Sequence, residues 1–294
     1  MADGINILLV EDNPGDARLL TETLREGNDL TFKVQEAATF ERATELADAN
    51  APDIVLLDLN LPDSHGLYTF LRFRQSNPTV PVVVLTGIDD EELGIQAVKE
   101  GAEDFLTKGD LSPRLFARAV RYAIERNELK SQLEYCASHD ALTGVFNRRY
   151  FNQMIGQELA RSTRYKHPIG FLMVDIDDFK EINDTHGHEI GDRVLQGVAR
   201  FLVGQMRTVD IVIRYGGDEF LLVLPETGSD SDLAAKRVQN AAARDLASYV
   251  PSLDRDISIS IGASYWETDR DVAIEQALSE ADQDMYGHKQ KGGA

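Results

Sequence analysis

The stretch "RYGGDEFLLVLP", Arg214 to Pro225, places two adjacent carboxylates, Asp218 and Glu219, behind two glycines and between the apolar runs Ile211–Ile213 and Phe220–Leu224. Upstream, the apolar run Ile169–Val174 stops at Asp175, which opens "DIDDFKEINDTHGHEIGD". If the strand ending at Asp175 lies beside the hairpin, Asp175, Asp218 and Glu219 converge, and three carboxylates at a buried edge require cations. Two nearby metals would clamp the attacking and leaving oxygens of a phosphoryl or nucleotidyl transfer. Lys180, a helical turn further on, would neutralise phosphate charge. Asn183 and Asp192 carry the donors and acceptors that suit a guanine edge. Taken singly, Asn183 or Asp192 serves equally as a helix cap or turn residue. The turn alone equally suits a plain two-residue hairpin in which Gly216 and Gly217 take positive φ. His186 and His188 have no nearby cysteine, and the surplus of oxygen ligands favours a hard cation over zinc.

A second constellation lies in the first half. Glu11 and Asp12 follow the run Ile5–Val10, Asp58 follows Ile54–Leu57, Thr86 follows Val80–Leu85 and Lys108 follows Phe105–Leu106. If these runs are neighbouring strands of one parallel sheet, all five side chains meet at its carboxyl edge. Three crowded carboxylates there repel unless a divalent cation sits among them, and oxygen ligands with retained waters suit Mg²⁺.

The elements that must position these groups follow from the rest of the chain. At 294 residues it has room for two domains, each with its own core. Hydrophobic residues make up 43%, and no apolar run reaches the roughly 20 residues that span a bilayer, so the membrane class is excluded as a spanning helix. The start lacks the basic then apolar pattern of a signal peptide, and the single Cys136 can form no intramolecular disulfide; both give the expectation of a cytoplasmic protein. A formal charge of −20 opposes broad binding to DNA, so anionic ligands must be held by metals and a few cations. Residues 5 to 108 read as five strand-then-helix units whose near-continuous apolar strands, with Phe32–Val34 the second, imply a parallel sheet covered on both faces.

Ser112-Pro113 then opens a helix that no Gly or Pro interrupts before Gly144. Leu115, Ala119, Tyr122, Arg126, Leu129 and Leu133 alternate spacings of four and three, the period of a coiled-coil seam. The first half of that helix suits packing on its own domain equally well; beyond Arg126, "NELKSQLEYC" is too polar for a core and suits a dimer-forming connector. After about His139 come a helix from Arg148 to Tyr165, a strand Ile169–Val174, a helix from Ile190 to Met206, the hairpin, an alanine-rich helix, a strand Ile257–Ile261 and a last helix ending near Tyr286. An antiparallel hairpin among helices indicates a second α/β domain with a mixed sheet.

With "LLVEDNPGDARLL", "VLLDLNLPDSHG", "VVVLTG" and "FLTKG" in view, residues 4 to 125 resemble the receiver domain of response regulators. The resemblance implies a doubly wound (βα)5, flavodoxin-like fold. It implies a phosphoryl group accepted on Asp58 from a cognate histidine kinase, and one Mg²⁺ held by Glu11, Asp12, Asp58 and the carbonyl of Asn60. Thr86 and Lys108 would contact the phosphoryl oxygens, and Phe105 would be the aromatic that responds. Gly109 stands where the family usually has proline, so the loop after the lysine is expected to differ.

The second half, about residues 138 to 292, resembles the GGDEF diguanylate cyclase domain through "DALTGVFNRRYF", "VDIDDFKEINDTHGHEIGD", "RYGGDEF", "SISIGAS" and "ADQDMYGHK". The implied organisation is a receiver over 1–125, a helical linker over 126–137 and a nucleotide-cyclase-like α/β domain over 138–294. The implied activity is condensation of two GTP into cyclic di-GMP and two pyrophosphates by a homodimer. Asp175, the carbonyl of Ile176, Asp218 and Glu219 would hold two Mg²⁺, with Mn²⁺ a substitute. Asp218 or Glu219 would help deprotonate the 3′-hydroxyl and Lys180 would stabilise phosphate charge. Asn183, His188 and Asp192 would line the guanine site, Gly216 and Gly217 would let the nucleotide approach, and Lys289 would contact phosphate. The family often continues with Gly then Arg, where this chain has Gly292, Gly293 and Ala294, so one phosphate contact is expected to be missing.

"RTVD", Arg207 to Asp210, fits an ordinary helix end; in this family it is also similar to the inhibitory product site that grips cyclic di-GMP. The alternatives are a catalytically silent binder of GTP or cyclic di-GMP that acts by protein docking, and a related cyclase using ATP.

Overall fold

The computed structural model describes residues 4–26, 31–87, 90–110, 112–250, 253, 256–268 and 273–292. The chain divides into two compact units, Met1–Leu133 and Glu134–Ala294.

In the first unit β1 (Ile5–Val10), α1 (Pro14–Glu26), β2 (Phe32–Ala37), α2 (Phe40–Ala49) and β3 (Ile54–Asp58) alternate. A two-residue hairpin, β4 (Asn60–Leu61) and β5 (Ser64–His65), precedes α3 (Leu67–Ser76), β6 (Val82–Thr86), α4 (Glu91–Lys99) and β7 (Asp104–Thr107). The five long strands form a parallel sheet in the order β2-β1-β3-β6-β7. Because successive residues face opposite sides, each apolar strand feeds two cores. Leu8, Val10, Val55, Leu57 and Val84 pack with Phe40, Phe70 and Phe73 on one side. Ile7, Leu9, Ile54, Leu56 and Leu85 pack with Leu20, Leu24, Phe116 and Val120 on the other. β3 and β6 are buried throughout, which is why they read as unbroken apolar runs.

The helix α5 (Pro113–Ser138) runs without a break from the first unit into the second. Phe116, Ala117, Val120 and Ala123 form its buried stripe, while Leu115, Tyr122, Leu129 and Leu133 of the expected seam are exposed and Ala119 is half-buried. Arg126 donates to the Glu103 carbonyl at 2.8 Å and Asn127 to the Thr79 carbonyl at 3.1 Å, so contact with the receiver fold runs past residue 125.

The second unit contains β8 (Phe146–Asn147), α6 (Arg148–Tyr165), β9 (Ile169–Ile176), α7 (Phe179–His186), α8 (His188–Gln205), β10 (Ile211–Arg214), β11 (Glu219–Pro225), α9 (Ser231–Asp245), β12 (Ile259–Trp266) and α10 (Ile274–Gly292). The sheet order is β12-β9-β11-β10-β8, antiparallel except for the β10–β8 pair. One face carries the core around Phe201, Phe220 and Leu246, and the other the core around Phe151, Phe171 and Met285.

Several sequence expectations shift. β12 begins at Ile259 and continues through Gly262, Ala263 and Ser264 to Trp266, where the sequence reading placed it at Ile257–Ile261. β6 begins at Val82 rather than Val80, since Val80 and Pro81 lead into the sheet. α7 is a separate helix ahead of α8, entered through Asp178, whose φ of 55° turns the chain sharply out of β9. The hairpin is also corrected: Tyr215–Asp218 make a four-residue connection, and neither Gly216 nor Gly217 has positive φ.

Gly262 is where β12 and α10 meet most closely. A β-carbon there would collide with the backbone of Ala281 and Met285. Neither helix backbone nor central sheet yields cheaply, so Gly262→Ala should cost about 1–3 kcal/mol. The sole tryptophan, Trp266, ends the same strand, and its fluorescence should show a lower urea midpoint in the variant.

Candidate functional site

The second site is built by register. β11 pairs antiparallel with β9 so that Glu219 lies opposite Asp175, with Asp218 one residue away at the end of the connection. The Asp218 carbonyl faces the Ile176 amide at 3.4 Å, and Ser260 of β12 lies opposite Asp175 on its other side. Asp175 is buried, while Asp218 and Glu219 are half-buried. Burial pushes the Asp175 carboxyl up, against the pull of Lys289, and the charges of Asp218 and Asp177 push it further the same way. Burial likewise raises Glu219, joined by the charges of Asp175 and Asp218. Lys289, on α10, donates to Asp175 at 2.6 Å. Its ammonium is held above the usual lysine range because the Asp175 bond and charge outweigh the burial that opposes it. The chemistry of the set fits a divalent cation: carboxylates that resist ionising together, a backbone carbonyl beside them, and a lysine supplying the positive charge.

Asn183 is half-buried on α7, and its side-chain oxygen packs against Gly191, so any side chain at position 191 would collide with it. This brings Asn183 next to Asp192, the following residue on α8; Asp192, His188 and Lys180 are exposed. The Glu219 carboxylate lies against the Gly216 backbone, where a β-carbon would displace it. A cleft of about 800 Å³ opens beside Lys289, lined also by Asp177, Asp178, Lys236, Ser258 and His288; Asn183, His188 and Asp192 lie outside its lining. Asp177, which sequence reasoning passed over as one acid among many, accepts hydroxyl hydrogen bonds from Ser258 at 2.5 Å and Ser260 at 2.6 Å. The alternating "ISISI", Ile257 to Ile261, was the available signal.

In the first unit Glu11, Asp12 and Asp58 bring one oxygen each within 4.8 Å of one another, the closest acid grouping among the described residues. Lys108 Nζ lies 2.6 Å from both Glu11 and Asp58, and 3.5 Å from Asp16. Burial raises the Glu11 carboxyl, opposed by Lys108 and aided by the Asp58 charge. Lys108 is raised in turn, the bonds to Asp58 and Glu11 overcoming its burial. The Thr86 hydroxyl is buried with no hydrogen-bond partner among the described residues, an orphan that fits an oxygen-rich ligand beside Asp58. The Asn60 amide donates to Asp58 at 2.9 Å, fixing the loop whose carbonyl is a candidate ligand. Phe105 is half-buried with its ring against Gly94 of α4, and Lys108–Asp110 form a single 3₁₀ turn at the Gly109 position.

Arg207 and Asp210 close a turn on one another: the Arg207 amide donates to the Asp210 carboxylate at 2.8 Å and the Asp210 amide to the Arg207 carbonyl at 3.0 Å. Both residues line two adjoining clefts of about 340 and 320 Å³. Gly293 and Ala294 lie outside the described residues.

Two catalogued domain descriptions match the chain: "Diguanylate cyclase, GGDEF domain" over residues 137–294 and "Response regulator receiver domain" over residues 7–120. The chain belongs to the GGDEF family and carries a receiver domain ahead of it. It is similar to the response regulator PleD of Caulobacter vibrioides, 30% identical over 306 residues that cover 98% of this chain and 64% of PleD. Diguanylate cyclase DosC of Escherichia coli is 36% identical over 154 residues, 52% of this chain and 33% of DosC. The chain thus spans less than two thirds of these relatives. Among solved structures, the coiled coil and GGDEF domain of DgcB from Caulobacter crescentus, in complex with c-di-GMP, aligns with a TM-score of 0.51 at 25% identity, covering 60% of this chain and 95% of that one. Diguanylate cyclase SiaD from Pseudomonas aeruginosa, in complex with its activator SiaC, aligns with a TM-score of 0.50 at 28% identity over 76% of each chain.

The raised Glu219 has a consequence for the metal-free protein. A carboxyl whose folded pKa lies above its unfolded value opposes folding once ionised, so stability falls as pH rises through that range. In chelator at neutral pH, Glu219→Gln should therefore melt at the same or a higher temperature than the wild type. The difference should shrink as pH falls toward 4.5, the ordinary value. A scanning-calorimetry series over pH checks this.

Proposed function

We propose that the chain is a phosphorylation-regulated diguanylate cyclase that condenses two GTP into cyclic di-GMP and two pyrophosphates as a homodimer in the cytoplasm. The observation that carries the reading is the pairing of Glu219 opposite Asp175, with Asp218 adjacent and Lys289 bonded to Asp175, inside the GGDEF-family match over residues 137–294. Asp175, the Ile176 carbonyl, Asp218 and Glu219 would hold two Mg²⁺, or Mn²⁺ in their place, which supply Lewis-acid stabilisation of the phosphate oxygens when bound. Asp218 or Glu219 takes the proton from the 3′-hydroxyl of one GTP. That oxygen then bonds to the α-phosphorus of the GTP on the partner subunit, and the bond to pyrophosphate breaks. Repeating the step in the other direction closes the ring, which is why two subunits must face each other. Lys180 and Lys289 offset phosphate charge, while Asn183, His188 and Asp192 recognise guanine.

In the receiver, Asp58 accepts a phosphoryl group from a histidine kinase. Glu11, Asp12, Asp58 and the Asn60 carbonyl would hold one Mg²⁺, Thr86 and Lys108 bind the new phosphoryl oxygens, and Phe105 reports the change through α4. The orphaned Thr86 hydroxyl supports this assignment. The connector beyond Asn127, with Leu129 and Leu133 exposed, supplies a surface for pairing two chains. A second site is proposed at Arg207 and Asp210, where cyclic di-GMP inhibits. A carboxylate oxygen of Asp210 is buried without a hydrogen-bond partner among the described residues and borders both clefts.

Two outcomes are expected. With Mg²⁺ and GTP the protein should form cyclic di-GMP and pyrophosphate, faster with beryllofluoride on Asp58, and Asp218→Ala should lower turnover at least 100-fold. No product in either state, read by nucleotide chromatography, leaves a nucleotide-binding regulator instead. Arg207→Ala should keep the initial rate near wild type while added cyclic di-GMP loses its inhibition; superimposable inhibition curves would remove the site.

A further inference from the structure

Arg214 is the residue before the catalytic connection, and its guanidinium is shared between two places. Nε and Nη2 donate to the Gly217 carbonyl at 3.1 and 2.7 Å. Nη1 donates to both carboxylate oxygens of Asp140, at 3.0 and 3.2 Å. Asp140 follows the end of α5 by two residues and is itself fixed, accepting from the Thr143 amide at 2.9 Å and its hydroxyl at 2.7 Å. Although burial opposes it, these bonds and Arg214 hold the Asp140 carboxyl below the usual range.

The same segment is tied back to the helix and forward to the hairpin. Asn147 donates from its side chain to the carbonyls of Ala137 and His139, both at 3.1 Å, and its side-chain oxygen caps α6 by accepting from the Tyr150 amide at 2.9 Å. In the sheet Asn147 of β8 pairs directly with Arg214 of β10. Tyr135, His139, Phe146 and Tyr150 stack in succession, with ring centroids 4.0, 4.4 and 4.0 Å apart. Tyr215, next to Arg214, lies under the Arg148 guanidinium at 4.5 Å and meets Phe151 edge-on. The last turn of α5, the strand β8 and the connection bearing Asp218 therefore form one hydrogen-bonded and stacked unit.

We propose that Arg214 is a positioning residue which, held by Asp140, carries the position of the end of α5 to the Gly217 carbonyl and so sets the placement of Asp218 and Glu219. This rests on the diguanylate cyclase reading for its kinetic consequence, and on geometry alone for its structural one. A guanidinium meets both demands because it presents separate donors at fixed angles on different edges of a plane, whereas a lysine ammonium gathers its donors on one compact nitrogen and cannot span two partners held apart in that way. Arg214 touches neither nucleotide nor metal in this scheme. It acts through the backbone carbonyl one residue before Asp218.

The test uses the full-length chain and the variants Arg214→Lys and Asp140→Asn, both conservative enough to retain the fold, with melting temperature as the control. Steady-state cyclic di-GMP synthesis with and without beryllofluoride should show kcat reduced at least tenfold and KM for GTP within threefold of wild type. The ratio of activated to basal rate should fall toward one. Wild-type kcat together with a wild-type activation ratio would overturn the proposal, as would a loss confined to KM. Hydrogen exchange gives a readout that does not depend on turnover. The Tyr215 and Gly216 amides, both bonded to the Glu219 carbonyl, should exchange at least tenfold faster in each variant, with β9 unchanged. If the wild type makes no cyclic di-GMP, the cyclase reading fails while the exchange result still decides the role of Arg214; unchanged exchange overturns it.

Discussion

The placement of Asp175 opposite Glu219 sets the terms for the rest of the second unit. Two carboxylates on adjacent strands, with Asp218 beside them, repel at a range where the surrounding apolar sheet screens poorly. The fold meets this with Lys289, brought in from α10 to bond Asp175 at 2.6 Å. The first unit meets the same difficulty in the same way, with Lys108 at 2.6 Å from Asp58 and Glu11. In each a lysine from beyond the strand that carries the acids stands among carboxylates that a divalent cation would otherwise neutralise. The two sites share no sequence motif; what they share is the electrostatics of acids gathered at strand ends.

Such crowding requires a support that does not yield. β9 is buried along its whole length and clamped on both sides, by β11 and β12, so the acids cannot relax by moving apart. β3 plays that part in the receiver, buried throughout and flanked by β1 and β6. The apolar cores on both faces of each sheet thus do two things. They stabilise the unit, and they hold like charges at separations that the charges alone would not choose. Asp177 extends the clamp: its two serine bonds and its own amide bond to the Ser258 carbonyl at 3.1 Å lock the first residue beyond β9 to the approach to β12. The carbonyl of Ile176, a candidate metal ligand, is trapped between two fixed residues.

The sequence made the strand-end acids legible because burial on both faces forces continuous apolar runs, and each run is broken by a buried acid that no apolar core would choose. Ile54–Leu57 before Asp58 and Ile169–Val174 before Asp175 are signals of that kind. β12 was harder, since Gly262, Ala263 and Ser264 have weak strand propensity and owe their conformation to pairing with β9 and to the close approach of α10. β4, β5 and β8 have two residues each and no periodicity to read. The hairpin was misread because Gly-Gly is one of the pairs that favour a two-residue turn. Here Tyr215 and Gly216 both bond the Glu219 carbonyl, which lengthens the connection, and neither glycine takes positive φ. The Asp140–Arg214 bond spans 74 positions, and nothing in either local motif pairs them.

That long-range bond bears on how a signal could cross a helix. After Pro113 at its start, α5 has no glycine or proline in its 26 residues, about 39 Å at 1.5 Å per residue, so its hydrogen-bond ladder is unbroken along that length. A rod transmits only as well as its far joint. Had α5 ended in a loose loop, its rotation or translation would be absorbed within a few residues. Instead the Ala137 carbonyl is held by Asn147, Asn147 is in register with Arg214, and Arg214 holds the backbone one residue before Asp218. Each link is a directional hydrogen bond or strand pair, with the stacked rings from Tyr135 to Tyr150 bracing it. Asp218 and Glu219 are therefore joined to the end of α5 by geometry already present within the second unit.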